Sequence, residues 1–152
     1  MRGKASFTSR LRCVIFLLVF SRTAAAGEVI YVDDNAPGAN NGSSWENAYV
    51  YLQDALADAN TAEKPVDIRV AEGVYMPDQG AGILPGDREA TFQLINGVTL
   101  KGSYGGFSEP DPDVRDIDRH KTILSGDLNG NDIEATAPQD MFDEPSRAEN
   151  SY

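Results

Sequence analysis

The sequence predicts a mostly β chain wound as the stacked coils of a solenoid and opened by an amphipathic capping helix. Three observations carry this. A phrase of β-prone apolar residues ending in glycine occurs three times, at Ile68 to Gly73, Val98 to Gly102 and Thr122 to Gly126. Val70 and Leu100 are 30 residues apart, and Leu100 and Leu124 are 24 apart. Self-similarity at such an interval marks units that bury their apolar faces only against one another. A one-faced helical pattern precedes the first repeat, and clusters of Gly, Pro, Asn and Asp separate the apolar runs.

Residues 1–26 read as a secretory signal rather than as fold. Arg2, Lys4, Arg10 and Arg12 form a basic leader, Cys13 to Phe20 is an unbroken apolar run, and Ala24-Ala25-Ala26 offers the small residues of a cleavage site before Gly27. The run is far shorter than the roughly 20 residues a membrane-spanning helix needs. Cys13 lacks the small neighbours of a lipoprotein box, so no lipid anchor is expected.

Val29 to Val32 is a strand by its β-branched and aromatic content. Asp33 to Gly42 is a loop of turn formers. Ser43 and Glu46 have the spacing of a capping box, in which the hydroxyl and the carboxylate satisfy each other's orphan amides. Trp45, Tyr49, Leu52 and Leu56, widened by Ala48, Ala55 and Ala59, then draw one helical stripe, with Asp54 and Asp58 facing away and Asn60 and Pro65 marking the end. A lone one-faced helix before a β repeat needs a surface to cover, which in a solenoid is the open apolar end of the first coil.

Val66 to Val70 is the next strand, Gly73 to Tyr75 turns outward, and Asp78 to Arg88 is a surface excursion. Thr91 to Ile95 reads as a strand, Asn96-Gly97 as a tight turn, and Val98 to Leu100 as a strand. Asn-Gly between two runs is also a hairpin signal; the repetition that follows favours a coil. Gly102 to Phe107 is a bend, Glu109 to Asp118 a charged loop, Thr122 to Leu124 a strand and Asp127 to Asp132 a loop. Residues 27–132 thus form a cap with the first coils, and 133–152 an acidic loop or disordered tail. The pattern breaks off at Tyr152 with three coils and no second cap. A piece of a longer solenoid is expected, the alternative being a short protein whose open end meets a partner.

All 24 acidic residues follow residue 26, against eight basic ones, so this portion carries a net charge of −16. Such a field repels nucleic acid and anionic membrane surfaces. Carboxylates also keep an exported protein soluble. The only cysteine lies within the leader, so no disulfide holds the remainder.

Ile30-Tyr31-Val32-Asp33-Asp34, Gly42-Ser43-Ser44-Trp45, Leu52-Gln53-Asp54-Ala55-Leu56 and Val70-Ala71-Glu72-Gly73-Val74-Tyr75 resemble the opening of exported right-handed parallel β-helix proteins, which are pectin-lyase-like in fold. Gly105-Gly106-Phe107, Arg115-Asp116 and Thr122 to Asp127 look like the next coils, and the resemblance spans residues 28 to 132. It implies stacked three-strand coils behind a capped N-terminus. It implies no single activity, because the group mixes lyases, hydrolases and adhesins. Its catalytic residues lie on later coils, so none is carried over to this chain.

Asp127, Asn129 and Asn131 alternate like the first oxygen ligands of a calcium loop. Asp132 stands where an EF-hand has glycine, and Pro138 where it has glutamate; a turn between coils accounts for the same residues. Asp111, Asp113, Asp116 and Asp118 form a second carboxylate group beside Arg115 and Arg119, in the manner of calcium-dependent polysaccharide lyases, but Pro110, Pro112 and the charge run also describe a solvated loop. His120 is the only histidine, set between Arg119 and Lys121 with no evident nucleophile partner. No cofactor beyond Ca²⁺ is expected. Tyr75, Tyr104, Phe107 and Trp45 are aromatic candidates for stacking on sugars, though packing is their commoner use. The leading expectation is a secreted or cell-surface segment with a structural, adhesive or glycan-contacting role and no catalysis of its own. Its partners would be extracellular polysaccharide or other surface proteins. The alternatives are the N-terminal part of a polysaccharide lyase or glycoside hydrolase, and a calcium-stabilised surface-layer component.

Overall fold

A computed structural model describes residues 27–132 and 145–151. The expected signal and segment 133–144 lie outside the described residues. The fold is mixed α/β, with two parallel sheets and one α-helix among the described residues. In chain order the elements are β1 (Glu28–Val32), α1 (Leu52–Thr61), β2 (Val66–Ala71), β3 (Gly73–Tyr75), β4 (Val98–Tyr104) and β5 (Thr122–Leu124), followed by a 3-10 turn at Pro145–Glu149. The first sheet has the order β1-β2-β4 and the second pairs β3 with β5.

The register follows from alternation. Ile30, Ile68 and Leu100 stand opposite one another on the inner face, as do Val32 and Val70; Tyr31, Arg69 and Lys101 form the outer ladder. A slip by one residue would turn the apolar ladders outward, so burial fixes the pairing. Ile30, Val32, Val66, Ile68 and Val70 are all buried, and Leu52, Ala55, Leu56 and Ala59 of α1 cover them. Each fully buried Leu, Ile or Val contributes about 1.5–3 kcal/mol. Between Arg69 and Ala71 the register shifts, so that Ala71 lies opposite Tyr104.

β2 passes to β3 through Glu72 alone. Its amide donates to Tyr104 O and that of Gly73 to Lys121 O, both at 2.9 Å. Gly73 has φ of 151°, and a Cβ there would lie 2.9 Å from Asp34 Oδ2. The backbone there favours glycine, and a side chain would also have to displace the Asp34 carboxylate.

Several expectations are corrected. The helix begins at Leu52 rather than beside Ser43, and its N-cap is Tyr51. Tyr49 is the reason: its amide donates to Tyr31 O and its carbonyl accepts Asp33 N, both at 2.9 Å, so its backbone runs along the edge of β1 and is unavailable to a helix. Ser43 instead donates its amide to Asn41 Oδ1. Trp45 leaves the helical stripe and packs with Tyr104 and Ala71. Thr91 to Ile95 is not a strand: Phe92 and Ile95 pack on the core, while Gln53 Nε2 takes the Thr91 carbonyl. Gly73–Tyr75 is a strand, not merely a turn, because β5 pairs with it. The third repeat therefore does not stack beneath the first two. Thr122 lies opposite Gly73 in the second sheet, and Ile68, not Val70, lies opposite Leu100.

Candidate functional site

Two buried polar side chains, Asp33 and His120, and the buried Tyr75 gather with the exposed Asp34 and Glu72 where β1 ends and β2 turns into β3. Asp33 is 2% exposed. Its Oδ1 accepts Asn35 N at 2.9 Å and its Oδ2 accepts Phe107 N at 2.7 Å, tying the end of β1 to the bend after β4. Gly106 makes this approach possible, since with φ of 72° it would place a Cβ 2.6 Å from Ala71 Cβ and against the Asp33 carboxylate. Next to it, burial and the neighbouring Asp33 carboxylate push the Asp34 carboxyl above its ordinary range, with Glu72 adding to the effect. Tyr75 is buried and its hydroxyl donates to Ala71 O at 3.3 Å; burial and the Asp34 and Asp33 charges drive that phenol well up.

His120 is 1% exposed, and its Nδ1 lies 2.9 Å from Glu72 Oε2. The carboxylate orients the imidazole with Nδ1–H as donor. Nε2 is buried and has no hydrogen-bond partner among the described residues. The His120 amide donates to Asp116 O at 2.8 Å. A carboxylate-oriented imidazole has the form of a general base, but Nε2 faces no solvent through which a substrate would reach it. In this arrangement the pair fastens the 116–120 turn to the corner at Glu72. Sequence spacing carried no sign of it, because its members are far apart in the chain and meet only through the β3–β5 pairing.

On the outer face of the first sheet, the Arg69 guanidinium lies 5.8 Å from the Tyr31 ring and 5.7 Å from the Tyr104 ring. Trp45 packs edge-on to Tyr31 at 4.8 Å. Asp113 accepts Trp45 Nε1 at 3.2 Å and Arg69 at 2.8 Å, so the aromatic cluster clamps the 111–114 loop. Trp45, Tyr75 and Tyr104 are buried and present no stacking platform; Phe107 is exposed.

The expected carboxylate group is dispersed. Asp113 serves the clamp, and Asp111 Oδ1 accepts the Asp113 amide at 3.3 Å. Asp116 Oδ1 accepts the amides of Asp118 and Arg119, which holds its carboxyl below the usual range. Arg115 donates to Gly102 O, and Arg119 pairs with Glu109 at 2.9 Å. Asp127 accepts Asn131 N at 3.2 Å and Asp132 N at 2.9 Å; these amides, that of Asp132 first, lower its carboxyl as well. Asn131 turns its side chain to Glu149, while Asn129 is exposed. Among the described residues, no three His, Cys, Asp or Glu side chains are grouped to hold a metal.

Concave regions flank the helix and the second sheet. A groove of about 810 Å³ runs between α1, at Gln53, Leu56 and Asn60, and the 81–96 segment, at Leu84, Gln93 and Leu94. A smaller cavity of about 280 Å³ opens beneath β4 and β5, lined by Val70, Leu100, Arg115, Thr122 and Leu124. The two ends of the first sheet differ. The outer edge of β1 is covered by Gly42 and Tyr49, whereas β4 is an edge strand, with the half-exposed Ile123 and Leu124 of β5 beside it. Among the described residues, no helix is long and apolar enough to cross a membrane. Comparisons with protein-family models, with curated proteins and with solved structures found no match to this chain.

Proposed function

We propose that this chain is a secreted or cell-surface segment of a right-handed parallel β-helix, with a structural, adhesive or glycan-contacting role and no catalysis of its own. The observation that carries the reading is the path of the chain between its sheets. It enters the first sheet at β2, turns through one residue, and enters the second at β3; it then returns to the first at β4 and to the second at β5. Each visit adds a parallel strand beside the previous one, as winding coils do. The covered edge of β1 and the lid formed by α1 supply the polar, closed start that such a stack requires.

Export is inferred from the basic and apolar leader in residues 1–26. The charge of the remainder favours neutral or cationic partners over nucleic acid. Extracellular polysaccharide or another surface protein is the partner class proposed. Affinity electrophoresis through gels carrying neutral and cationic glycans tests it, with the ultraviolet absorbance of unsaturated sugars followed in parallel on pectate. Retardation without product supports a glycan-contacting role. Accumulating unsaturated product would overturn the non-catalytic reading in favour of a polysaccharide lyase.

A further inference from the structure

Three Asn-Gly dipeptides occur in the chain, at Asn41-Gly42, Asn96-Gly97 and Asn129-Gly130. In each, the glycine amide nitrogen is one bond too close to be ignored: it can reach the preceding side-chain carbonyl carbon, and the absence of a Cβ leaves the approach open. Reaction needs a nitrogen able to lose its proton and a carboxamide free to rotate. The fold treats the three differently.

At the first site both groups are engaged. Gly42 N donates to Asn47 O at 2.9 Å, and Asn41 Oδ1 accepts Ser43 N at 3.1 Å. The Tyr49 ring and Ile30 also close on Gly42. At the third site the Asp127 carboxylate folds back on the turn, accepting Asn131 N at 3.2 Å and Asp132 N at 2.9 Å, and its charge opposes formation of an amide anion at the adjoining Gly130. At the second, Asn96 and Gly97 are exposed, and neither the carboxamide nor the Gly97 amide has a hydrogen-bond partner among the described residues. The chain is held only around the pair, by Val98 N to Ile95 O at 3.1 Å and Val66 N to Gly97 O at 3.0 Å.

We propose that Asn96 is a modification site, at which the chain deamidates through a cyclic imide formed with Gly97. Gly97 N gives up its proton and bonds to Asn96 Cγ; the Cγ–N bond breaks, and the side-chain nitrogen departs as ammonia carrying that proton. One water then opens the imide. Attack at Cγ yields aspartate, and attack at the main-chain carbonyl yields isoaspartate, with a main chain one methylene longer. The net change is amide plus water to carboxylic acid plus ammonia. Either product adds a negative charge at the rim of the groove beside α1, and isoaspartate also displaces the entry to β4, where Val98 lies opposite Val66.

The test incubates the full chain at mildly alkaline pH, folded and in denaturant, and follows the three sites by peptide mass spectrometry with chromatographic separation of isoaspartate. In the folded chain Asn96 is expected to convert several-fold faster than Asn41 or Asn129, and the three rates are expected to converge in denaturant. Asn96→Gln should abolish the main product and leave the unfolding midpoint unchanged. Equal or faster conversion at Asn41 or Asn129 in the folded chain would overturn the proposal. So would the same ranking in denaturant, because the fold would then not be selecting the site.

Discussion

Replacing Asp33 measures how much one buried carboxylate contributes to joining successive layers. Its side chain is 2% exposed and accepts Phe107 N at 2.7 Å and Asn35 N at 2.9 Å. In Asp33→Ala the Phe107 amide loses its partner. The Asn35 bond is local, and its exposed neighbourhood lets water replace it. A hydrogen bond to a charged group contributes about 1.5–3 kcal/mol, and the Phe107 bond is partly buried, out of full reach of replacing water. The expected loss is therefore about 2–3 kcal/mol, most of it from Phe107. Asp33→Asn keeps the shape and one acceptor oxygen, so about 1–2 kcal/mol is expected. Urea unfolding followed by the fluorescence of Trp45, the only tryptophan, reads both variants. At a slope of about 1–3 kcal/mol per molar urea, the alanine variant shifts the midpoint by about 1 M. A loss below about 0.5 kcal/mol with unchanged slope would refute the reasoning, since water would then be satisfying Phe107 as well as Asp33 does.

Gly106→Ala meets both the Asp33 carboxylate and Ala71 in a left-handed backbone, so a loss of about 3 kcal/mol or more is expected in the same assay. Asp113→Ala releases the 111–114 loop; the pair with Arg69 is partly exposed, so about 1 kcal/mol is expected, and the difference from wild type should shrink in high salt. Asp34 titrates above its ordinary value, so its ionised form penalises the fold fully above the folded value and not at all below the unfolded one. Asp34→Asn should therefore stabilise slightly at neutral pH, with the gain vanishing in acid; a gain that persists in acid would exclude this cause. Asp127 is depressed, so its contribution is present above the ordinary aspartate value and lost as pH falls through the folded one. Asp127→Asn should destabilise at neutral pH and converge on wild type in acid. Because two amides already occupy Asp127, melting midpoints in calcium and in chelator should coincide, and a calcium-dependent rise would restore the metal reading.

The strands β1, β2 and β4 were legible because their alternation is tied to burial: Ile30 and Val32, Ile68 and Val70, and Leu100 all face inward. The strand β3 was not, being three residues long with Val74 half exposed; only its distant partner β5 gives it strand character. The helix start was misread for a comparable reason. Ser43 and Glu46 satisfy the local rule for a cap, but Tyr49 is claimed by the edge of β1, and a long-range pairing prevails over a local preference. The same limit hid the corner site. Asp33 and Asp34 read as turn formers, and nothing near His120 in sequence announced Glu72.

What the composition left open was the purpose of so much negative charge. Solubility and calcium both accounted for it, and the hydrogen bonds point to a third use. Asp33, Asp54, Asp78, Asp116 and Asp127 each accept a main-chain amide, at Phe107, Ala81, Gly86, Asp118 and Asp132 respectively. These bonds pin the long excursions between strands, where no ladder can form. In a chain whose sole cysteine is Cys13, they do the tethering that disulfides would otherwise supply. A carboxylate suits the task because it accepts without needing to donate, and its charge strengthens the bond. The ladders of β1, β2 and β4 depend on apolar burial and do not titrate. Acid should therefore loosen the turn that Asp127 holds, whose carboxyl lies below its ordinary range, while the sheets persist, so amides of the 127–132 segment should lose exchange protection at a higher pH than those of β2.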